Sequence, residues 1–309
     1  MKNIIKKVPI PICGLMLGVS ALGNLLQSYS ENVRYICGVL AVFLLILVIL
    51  KLILCFEDVK KDMENPIMAS VSGTFPMALM LLTVYAKSFI GQAAFYIWIF
   101  AILLHIALII YFTIKFIFKL DIKKVFASYY IVYVGIVAAS VTAPAYNQLK
   151  IGVICFWFGF VAFILLLILV SIRYIKYKEI PEPAKPLICI YGAPMSLCIA
   201  GYIQSVNPKA FIFLVVMLIM STILYIFALA QLIKYIKLQF YPSFASFTFP
   251  FVITAIALKQ AMVCFNNLGH PMPYLQYVVL IETVIAVILV VFVYVSFIKF
   301  IFVNKKKLI

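Results

Sequence analysis

The residue pair with the clearest chemical consequence is Phe249–Pro250, in the apolar stretch PSFASFTFPFVITAIALKQAM (242–262). A proline inside a helix removes a backbone hydrogen bond and clashes with the carbonyl group one turn earlier, so this stretch is expected to bend or break near its middle. In a membrane such a break persists only where protein or a water-filled cavity satisfies the freed backbone groups. Phe249 and Pro250 are therefore candidates for a pore constriction at which an aromatic ring would obstruct ions. From the residues alone, packing in the core is the favoured role for Phe249, which is one of 27 phenylalanines.

Residues that perform enzymatic chemistry are sparse and scattered. The chain has nine acidic residues and two histidines, and its apolar segments contain no paired carboxylates, phosphate-binding loop or metal-ligand cluster. The seven cysteines form no C-x-x-C pair, which favours small buried hydrophobic residues over a metal or redox site. We therefore expect no enzymatic activity, no cofactor or metal, no ATP-driven pump and no nucleic-acid partner.

Three ionisable residues interrupt the apolar segments. Lys259, ten residues beyond Phe249, either attracts anions at an outer pore mouth or extends to the membrane interface. Glu282 is the acid in the middle of an apolar segment and is a possible structural partner of Lys259. His105 is expected to be a buried, hydrogen-bonded histidine rather than a sensor or a ligand.

Composition identifies the class of protein. Of the 309 residues, 67% are hydrophobic and 11% are charged, which predicts a polytopic membrane protein. The basic, then apolar, N-terminal sequence is compatible with a cleaved signal peptide, but its Pro-x-Pro and two glycines favour a first, irregular transmembrane helix. Hydropathy predicts ten spans: 8–27, 33–56, 66–86, 90–116, 126–146, 150–175, 186–205, 209–236, 242–263 and 272–303.

The odd-numbered spans recur at a regular interval. Their starts follow one another every 56 to 60 residues: Val8, Pro66, Phe126, Pro186 and Pro242. This spacing predicts five helical hairpins: 8–56, 66–116, 126–175, 186–236 and 242–303. A hairpin returns to the side on which it began, so the five units share one orientation and close into a ring with quasi-fivefold symmetry around a central pore. The expected fold is an all-α polytopic membrane protein, with 1–309 as one transmembrane domain.

The odd spans are predicted to line the pore, because they carry small and hydroxyl residues where the even spans are uniformly apolar. The predicted pore-lining and helix-breaking residues, besides Phe249 and Pro250, are Gly14, Gly18, Gly73, Pro76, Gly135, Gly192, Pro194, Ser72, Thr74, Ser196, Ser246 and Thr248. An anion on this path would meet hydroxyls, backbone amides and apolar walls, which favours selection by the cost of dehydration over a tight site.

Cationic residues indicate the orientation. Twenty of the 25 lysines and arginines lie in the termini or in the loops after the even spans: Lys2, Lys6, Lys7, Lys51, Lys60, Lys61, Lys115, Lys119, Lys123, Lys124, Arg173, Lys176, Lys178, Lys185, Lys234, Lys237, Lys299, Lys305, Lys306 and Lys307. The positive-inside rule then places both termini in the cytoplasm, in a plasma (inner) membrane.

Four stretches carry a resemblance to a known family: VPIPICGLMLGVSALGN (8–24), ENPIMASVSGTFP (64–76), PLICIYGAPMSL (186–197) and SFTFPF (246–251). They resemble the tellurite-resistance/dicarboxylate transporter family, which includes bacterial TehA and the plant slow-type anion channels. The resemblance extends over the whole chain and is weakest in span five, SYYIVYVGIV (128–137). It implies ten helices in five hairpins, a homotrimer, and anion conduction gated by a phenylalanine that matches Phe249.

Three functions are weighed on these observations. The favoured one is a channel for small monovalent anions, lined by the odd spans and gated by Phe249. The alternative is a carrier or exporter for C4-dicarboxylates, sulfite or tellurite-related oxyanions, for which a buried cation near the midplane is expected and Lys259 is the single candidate. A membrane scaffold or receptor is the third, and a passage closed by several layers of side chains would favour it.

Overall fold

The computed structural model describes residues 2–303, and these form helices without any β-strand. The α-helices are, in chain order, α1 Lys2–Lys6, α2 Ile12–Leu26, α3 Glu31–Leu54, α4 Phe56–Asp62, α5 Pro66–Val71, α6 Thr74–Ile90, α7 Gln92–Phe112, α8 Tyr129–Val134, α9 Val137–Thr142, α10 Leu149–Lys176, α11 Pro194–Ser205, α12 Phe211–Tyr235, α13 Phe249–Asn267 and α14 Leu275–Ile298. Segments of 3₁₀ helix occupy Ile122–Lys124, Ala143–Tyr146, Glu182–Gly192 and Pro242–Phe247, and π-helical turns occupy Thr113–Ile117 and Lys299–Val303. Lys305, Lys306, Lys307 and the C-terminus lie outside the described residues.

Eight helical stretches within residues 2–303 are long and apolar enough to cross a bilayer: Glu31–Leu54, Pro66–Ile90, Gln92–Ile117, Leu149–Lys176, Glu182–Ser205, Phe211–Tyr235, Pro242–Asn267 and Leu275–Val303. The chain is therefore a multi-pass membrane protein. Two of the ten predicted spans are not among these long apolar stretches. The first is the shorter helix α2, and the fifth is divided among α8, α9 and the 3₁₀ segment Ala143–Tyr146.

The spanning stretches differ in how much of their surface is covered. Only 33% of the apolar window is buried in Gln92–Ile117, in Leu149–Lys176 and in Phe211–Tyr235. In the interrupted stretches Glu182–Ser205 and Pro242–Asn267 the buried share is 94% and 72%. Because an apolar surface outside the core must be solvated by lipid, the uninterrupted helices form the outer layer and the interrupted ones form the core.

The interrupted elements pack against one another in a closed series. Helix α2 contacts α6, α6 contacts α9, α9 contacts α11, α11 contacts α13, and α13 contacts α2 again. The outer helices α3, α7, α10 and α14 each pack against the inner helix that precedes them in sequence, and α12 packs against Glu182–Gly192. The core is thus a ring of five elements, with α3, α7, α10, α12 and α14 outside it.

Two hydrogen bonds between neighbouring elements join residues whose separation in sequence is close to one predicted repeat or to four. The Ser70 hydroxyl donates to Ser128 Oγ at 2.7 Å, and these residues are 58 positions apart. The Thr248 hydroxyl donates to the Gly14 carbonyl at 3.3 Å, across 234 positions, which is the separation between the predicted starts of the first and last repeats. These two hydrogen bonds therefore join neighbouring elements at separations that match the predicted repeat spacing.

The breaks in the ring elements follow from glycine and proline. Helix α5 ends at Val71 and α6 begins at Thr74, so Ser72 and Gly73 form the break between them. Pro194 is the first residue of α11 and Pro250 is the second residue of α13. A proline is tolerated in the first helical turn because its missing N–H has no intrahelical partner there. The predicted break beside Pro250 is present and lies at the start of α13, not within it.

Candidate pore and gate

A narrow cavity lies inside the ring, toward the end of the bundle at which each ring element begins. Its volume is about 50 Å³, enough for a few water molecules. Its wall is formed by residues of α2, α5, α6, α8, α11 and α13 and of the 3₁₀ segments Glu182–Gly192 and Pro242–Phe247, and these residues include Gly14, Thr74, Tyr130, Leu187 and Ser246. Because the basic loops named above flank these starts, we call this end the basic end and this space the basic-end cavity.

A wider cavity lies inside the ring toward the other end. It has a volume of about 350 Å³, and its wall again includes residues of α2, α6, α9, α11 and α13. Polar side chains line it: Asn24, Gln27, Arg34, Thr142, Gln204 and Gln260. We call this space the vestibule. The two cavities together trace an interrupted axial path through the ring.

Three apolar side chains separate the two cavities. Leu17 of α2, Leu197 of α11 and Phe249 of α13 line both of them. Their exposed fractions are 0%, 3% and 7%, so little space is left between them. Bare ions do not cross an apolar layer that excludes water, and a constriction of this type closes a pore by keeping it dry.

The backbone at Gly18 sets the position of Phe249. A Cβ atom at Gly18 would lie 2.5 Å from Thr248 Oγ1 and 3.1 Å from the Phe249 backbone nitrogen. These distances are shorter than side-chain contacts permit, so only glycine allows α2 to approach the start of α13 so closely. The Thr248 hydroxyl then reaches the carbonyl groups of Gly14 and Ala245. Gly18 and Thr248 therefore fix the helix start that carries the phenylalanine.

Hydroxyl groups satisfy the carbonyl groups that the helix breaks set free. The Ser246 hydroxyl donates to the Pro186 carbonyl at 2.7 Å, and the Ser196 hydroxyl donates to the Gly192 carbonyl at 2.9 Å. An unpaired backbone group in a water-free interior costs several kcal/mol in such surroundings, so these bonds are a condition for the breaks.

His105 performs the same task from the outer layer. Its side chain is fully buried on α7, and Nε2 donates to the Val132 carbonyl of α8 at 2.9 Å. That carbonyl lies three residues before the break at Gly135. The expectation of a buried, hydrogen-bonded histidine is confirmed.

The electrostatics of the path are simple. No acidic side chain lines either the basic-end cavity or the vestibule within residues 2–303, and Arg34 is the one charged side chain among their linings. The described residues also contain no group of three or more His, Cys, Asp or Glu side chains that could hold a metal ion, and all seven cysteines are buried and unpaired.

Comparison with known proteins assigns the family. A family model described as SLAC1, voltage-dependent anion channel, matches residues 7–298, nearly the whole chain. The chain belongs to the SLAC1 family. The resemblance seen in SFTFPF (246–251) is thereby confirmed, and anion transport across a membrane is the activity of this family at its general level. A comparison with curated proteins finds no match.

Some of the predicted pore residues border the basic-end cavity in this SLAC1-family chain. They are Gly14, Thr74, Gly135, Pro194, Ser246, Phe249 and Pro250. Phe249 alone among them also borders the vestibule. The predicted set is therefore concentrated at the plug and on its basic side.

The remaining predicted glycines serve helix packing and border neither the basic-end cavity nor the vestibule: Gly18, Gly73 and Gly192. A Cβ atom at Gly73 would meet the side chains of Leu108 and Ile131, and one at Gly192 would meet Ala228. Small residues allow two helices to approach closely, and this use does not require that they face a cavity. Gly73 lies in the break between α5 and α6, and Gly192 ends the 3₁₀ segment that precedes α11, as expected of helix-breaking residues. A pore-lining role for the three glycines stays a prediction.

Four other predicted residues also border neither the basic-end cavity nor the vestibule: Ser72, Pro76, Ser196 and Thr248. Ser72 and Pro76 border a separate apolar cavity among α2, α3, α6 and α7, outside the ring. Ser196 and Thr248 are fully buried, and their hydroxyls bond to backbone carbonyls. The hydroxyl groups that distinguished Ser72, Ser196 and Thr248 in the sequence donate to backbone carbonyls in the structure.

The two ionisable residues of the last hairpin do not form a pair. Lys259 Nζ donates to the Leu25 carbonyl at 3.1 Å and to Ser28 Oγ, and it lies 4.9 Å from the centre of the Tyr29 ring. Glu282 is 6% exposed, and its Oε2 atom has no hydrogen-bond partner within residues 2–303. Lys259 borders a side groove next to the vestibule and not the vestibule itself. The predicted partnership of Glu282 with Lys259 is therefore wrong.

Sequence reasoning missed two parts of the site. Leu17 and Leu197 complete the plug, but nothing distinguishes them in a chain that is 67% hydrophobic. The vestibule amides were also missed, although a signal was available. Asn24, Gln204 and Gln260 are carboxamides near the ends of apolar spans. A polar side chain is costly to place in the membrane, so its presence there indicates a functional or structural role.

Proposed function

We propose that the protein is a channel for small monovalent anions, which pass through the ring axis when Phe249 moves away from Leu17 and Leu197. The observation that carries this proposal is the presence of two cavities inside the ring whose linings share these three side chains. A plug of three residues between two cavities supports a gate over the scaffold or receptor.

Charge supports an anion as the conducted species. Five cations, Arg34, Lys87, Lys150, Lys209 and Lys259, lie toward the vestibule end, where Glu31 is the acid among the described residues. The formal net charge of the chain is +16. A surplus of positive charge at a pore mouth raises the local concentration of anions and repels cations.

The lining supports a monovalent ion. The plug and the wall of the basic-end cavity contain no charged side chain, so an ion there is stabilised only by hydroxyl and backbone dipoles. Such dipoles do not replace the hydration of a divalent anion, which normally requires a buried cation. Lys259, the cation considered for a carrier mechanism, is held by Leu25 and Ser28 outside the axial path.

The architecture that we propose for the channel is five hairpins with quasi-fivefold symmetry, with both termini in the cytoplasm. The closed series of inner-element contacts and the hydrogen bonds between residues one repeat apart support the symmetry. The positive-inside rule supports the orientation and a plasma-membrane location. The homotrimer implied by the family resemblance stays a prediction.

The decisive experiment compares two phenylalanines of one helix. In planar bilayers, Phe249→Ala is expected to raise the anion current about tenfold or more, since it removes the largest side chain of the plug. Phe251→Ala is the matched control, because Phe251 is also buried but packs against Tyr225 and borders neither cavity. Equal currents in the wild-type protein and the Phe249 variant would contradict the gate.

A further inference from the structure

The vestibule carries a group of side-chain amides that the gate does not use. Asn24 and Gln27 come from the end of α2, Gln204 from α11 and Gln260 from α13. Each carboxamide offers two N–H donors and one acceptor oxygen without a net charge. The four groups line the vestibule and also border the side groove that holds Glu31, Lys209 and Lys259, and they are rich in hydrogen-bond donors.

Most of this hydrogen-bonding capacity is unused by the protein. Among residues 2–303, the side chains of Asn24, Gln204 and Gln260 make no hydrogen bond, so their N–H donors are unpaired. Gln27 differs, because its Nε2 donates to Glu31 Oε1 at 2.7 Å. Polar groups with unmet capacity at a cavity wall are available to a bound species.

Arg34 supplies the positive charge of this cavity. Its Nη1 lies 3.5 Å from Glu31 Oε2, and its guanidinium lies 4.6 Å from the centre of the Tyr85 ring. Glu31 therefore offsets part of the charge, and Tyr85 holds the guanidinium in place. A partly neutralised cation attracts an anion without binding it so strongly that it cannot leave.

We propose that Asn24, Gln204, Gln260 and Arg34 form a binding site for a monovalent, weakly hydrated anion. The inference rests on the proposed function, because it places the site on the path that leads to Phe249. An anion in this space accepts hydrogen bonds from amide N–H groups, and Arg34 excludes a cation that the amide oxygens would otherwise attract. The volume of about 350 Å³ leaves room for the ion and several waters, so the ion loses only part of its hydration shell before it reaches the plug.

Equilibrium binding to the wild-type protein tests the site with the gate in place. Nitrate is expected to raise the thermal stability of the purified protein in a saturable manner, since a ligand that binds the folded state stabilises it. Gln260→Glu, which keeps the shape of the side chain and adds a negative charge, is expected to abolish this rise. Gln148→Glu is the matched control, because Gln148 lies at the same end of the molecule and does not border the vestibule.

Conductance provides the second readout, measured in the Phe249→Ala background. Adding Gln260→Leu or Gln204→Leu is expected to raise the nitrate concentration for half-maximal conductance about tenfold, the cost of one lost hydrogen bond to an ion. Gln148→Leu is expected to leave that concentration unchanged.

The outcomes separate the two proposals. If Phe249→Ala carries no anion current, the proposed function fails. If it carries current but the Gln204 and Gln260 variants saturate as the parent does, the vestibule site is wrong and the channel stands. Equal stabilisation by nitrate of the wild-type protein and Gln260→Glu would also overturn the site.

Discussion

At the scale of single residues, the closed path depends on three side chains from three different ring elements. Leu17, Leu197 and Phe249 separate the basic-end cavity from the vestibule. Phe249 is the largest of the three and the one next to a helix break, and its helix start rests against Gly18 through Thr248. The proposed gate thus depends on a contact between helices as well as on one aromatic ring.

Gly18→Ala tests this contact. The added methyl group would overlap Thr248 and push the start of α13 away from α2. We expect a loss of about 1–3 kcal/mol of stability from overpacking, together with a higher basal anion current because Phe249 no longer reaches its closed position. Thermal unfolding and bilayer recording measure the two effects.

Gly192→Ala is the control for that substitution. Its added methyl group would lie 3.3 Å from Ala228 and 3.9 Å from Pro250, which is a milder contact on the outer side of the ring. If Gly18→Ala matches Gly192→Ala in both stability and current, the role assigned to Gly18 is refuted.

At the scale of elements, the ring is made of interrupted helices whose free backbone groups accept hydrogen bonds from neighbouring elements. Every break leaves carbonyl groups without intrahelical partners. Side chains from adjacent elements bond to several of them: Ser246 to Pro186, Thr248 to Gly14, and His105 to Val132. The breaks are therefore stable only in the assembled ring, which explains why the interrupted stretches lie inside and the regular helices outside.

His105→Leu tests the repair of one break. Removal of the imidazole leaves the buried Val132 carbonyl unpaired, at an expected cost of about 1–3 kcal/mol in the free energy of unfolding. His270→Leu is the control. His270 is the other histidine, it is exposed in the loop after α13, and its ring stacks on that of Phe211 at the start of α12. Thermal unfolding in detergent compares the two variants, and an equal midpoint would contradict the structural role of His105.

At the scale of the whole molecule, charge and symmetry combine. Basic loops cluster at the end where the ring elements begin, and the vestibule end carries fewer charges. In the proposed channel, the surplus of lysine at the basic end is expected to orient the protein, and Arg34 is expected to attract anions at the other end.

Cysteine labelling tests the orientation. Lys119 and Lys150 are both exposed and lie at opposite ends of the proposed topology, and all seven native cysteines are buried, so their background reaction is low. A membrane-impermeant maleimide is expected to label Lys150→Cys in intact cells and Lys119→Cys only after permeabilisation. The reverse pattern would overturn the predicted cytoplasmic termini.

The sequence alone was sufficient for properties that depend on short stretches of chain. Hydropathy showed a membrane protein, the repeat spacing matched the hydrogen bonds between neighbouring ring elements, and Pro250 predicted the break beside Phe249. These features follow from local composition and backbone geometry, which a single segment determines by itself.

Only the tertiary structure decided which side chains face the axis. Leu17 and Leu197 look like any other leucine in the sequence, Ser196 and Thr248 turn away from the path to satisfy carbonyl groups, and Lys259 bonds to α2 and not to Glu282. The rotation of a broken helix about its own axis is set by its neighbours, because they supply the donors and the close contacts that the break requires. Those neighbours lie one or more repeats away along the chain, so the residue pattern within one segment does not predict them.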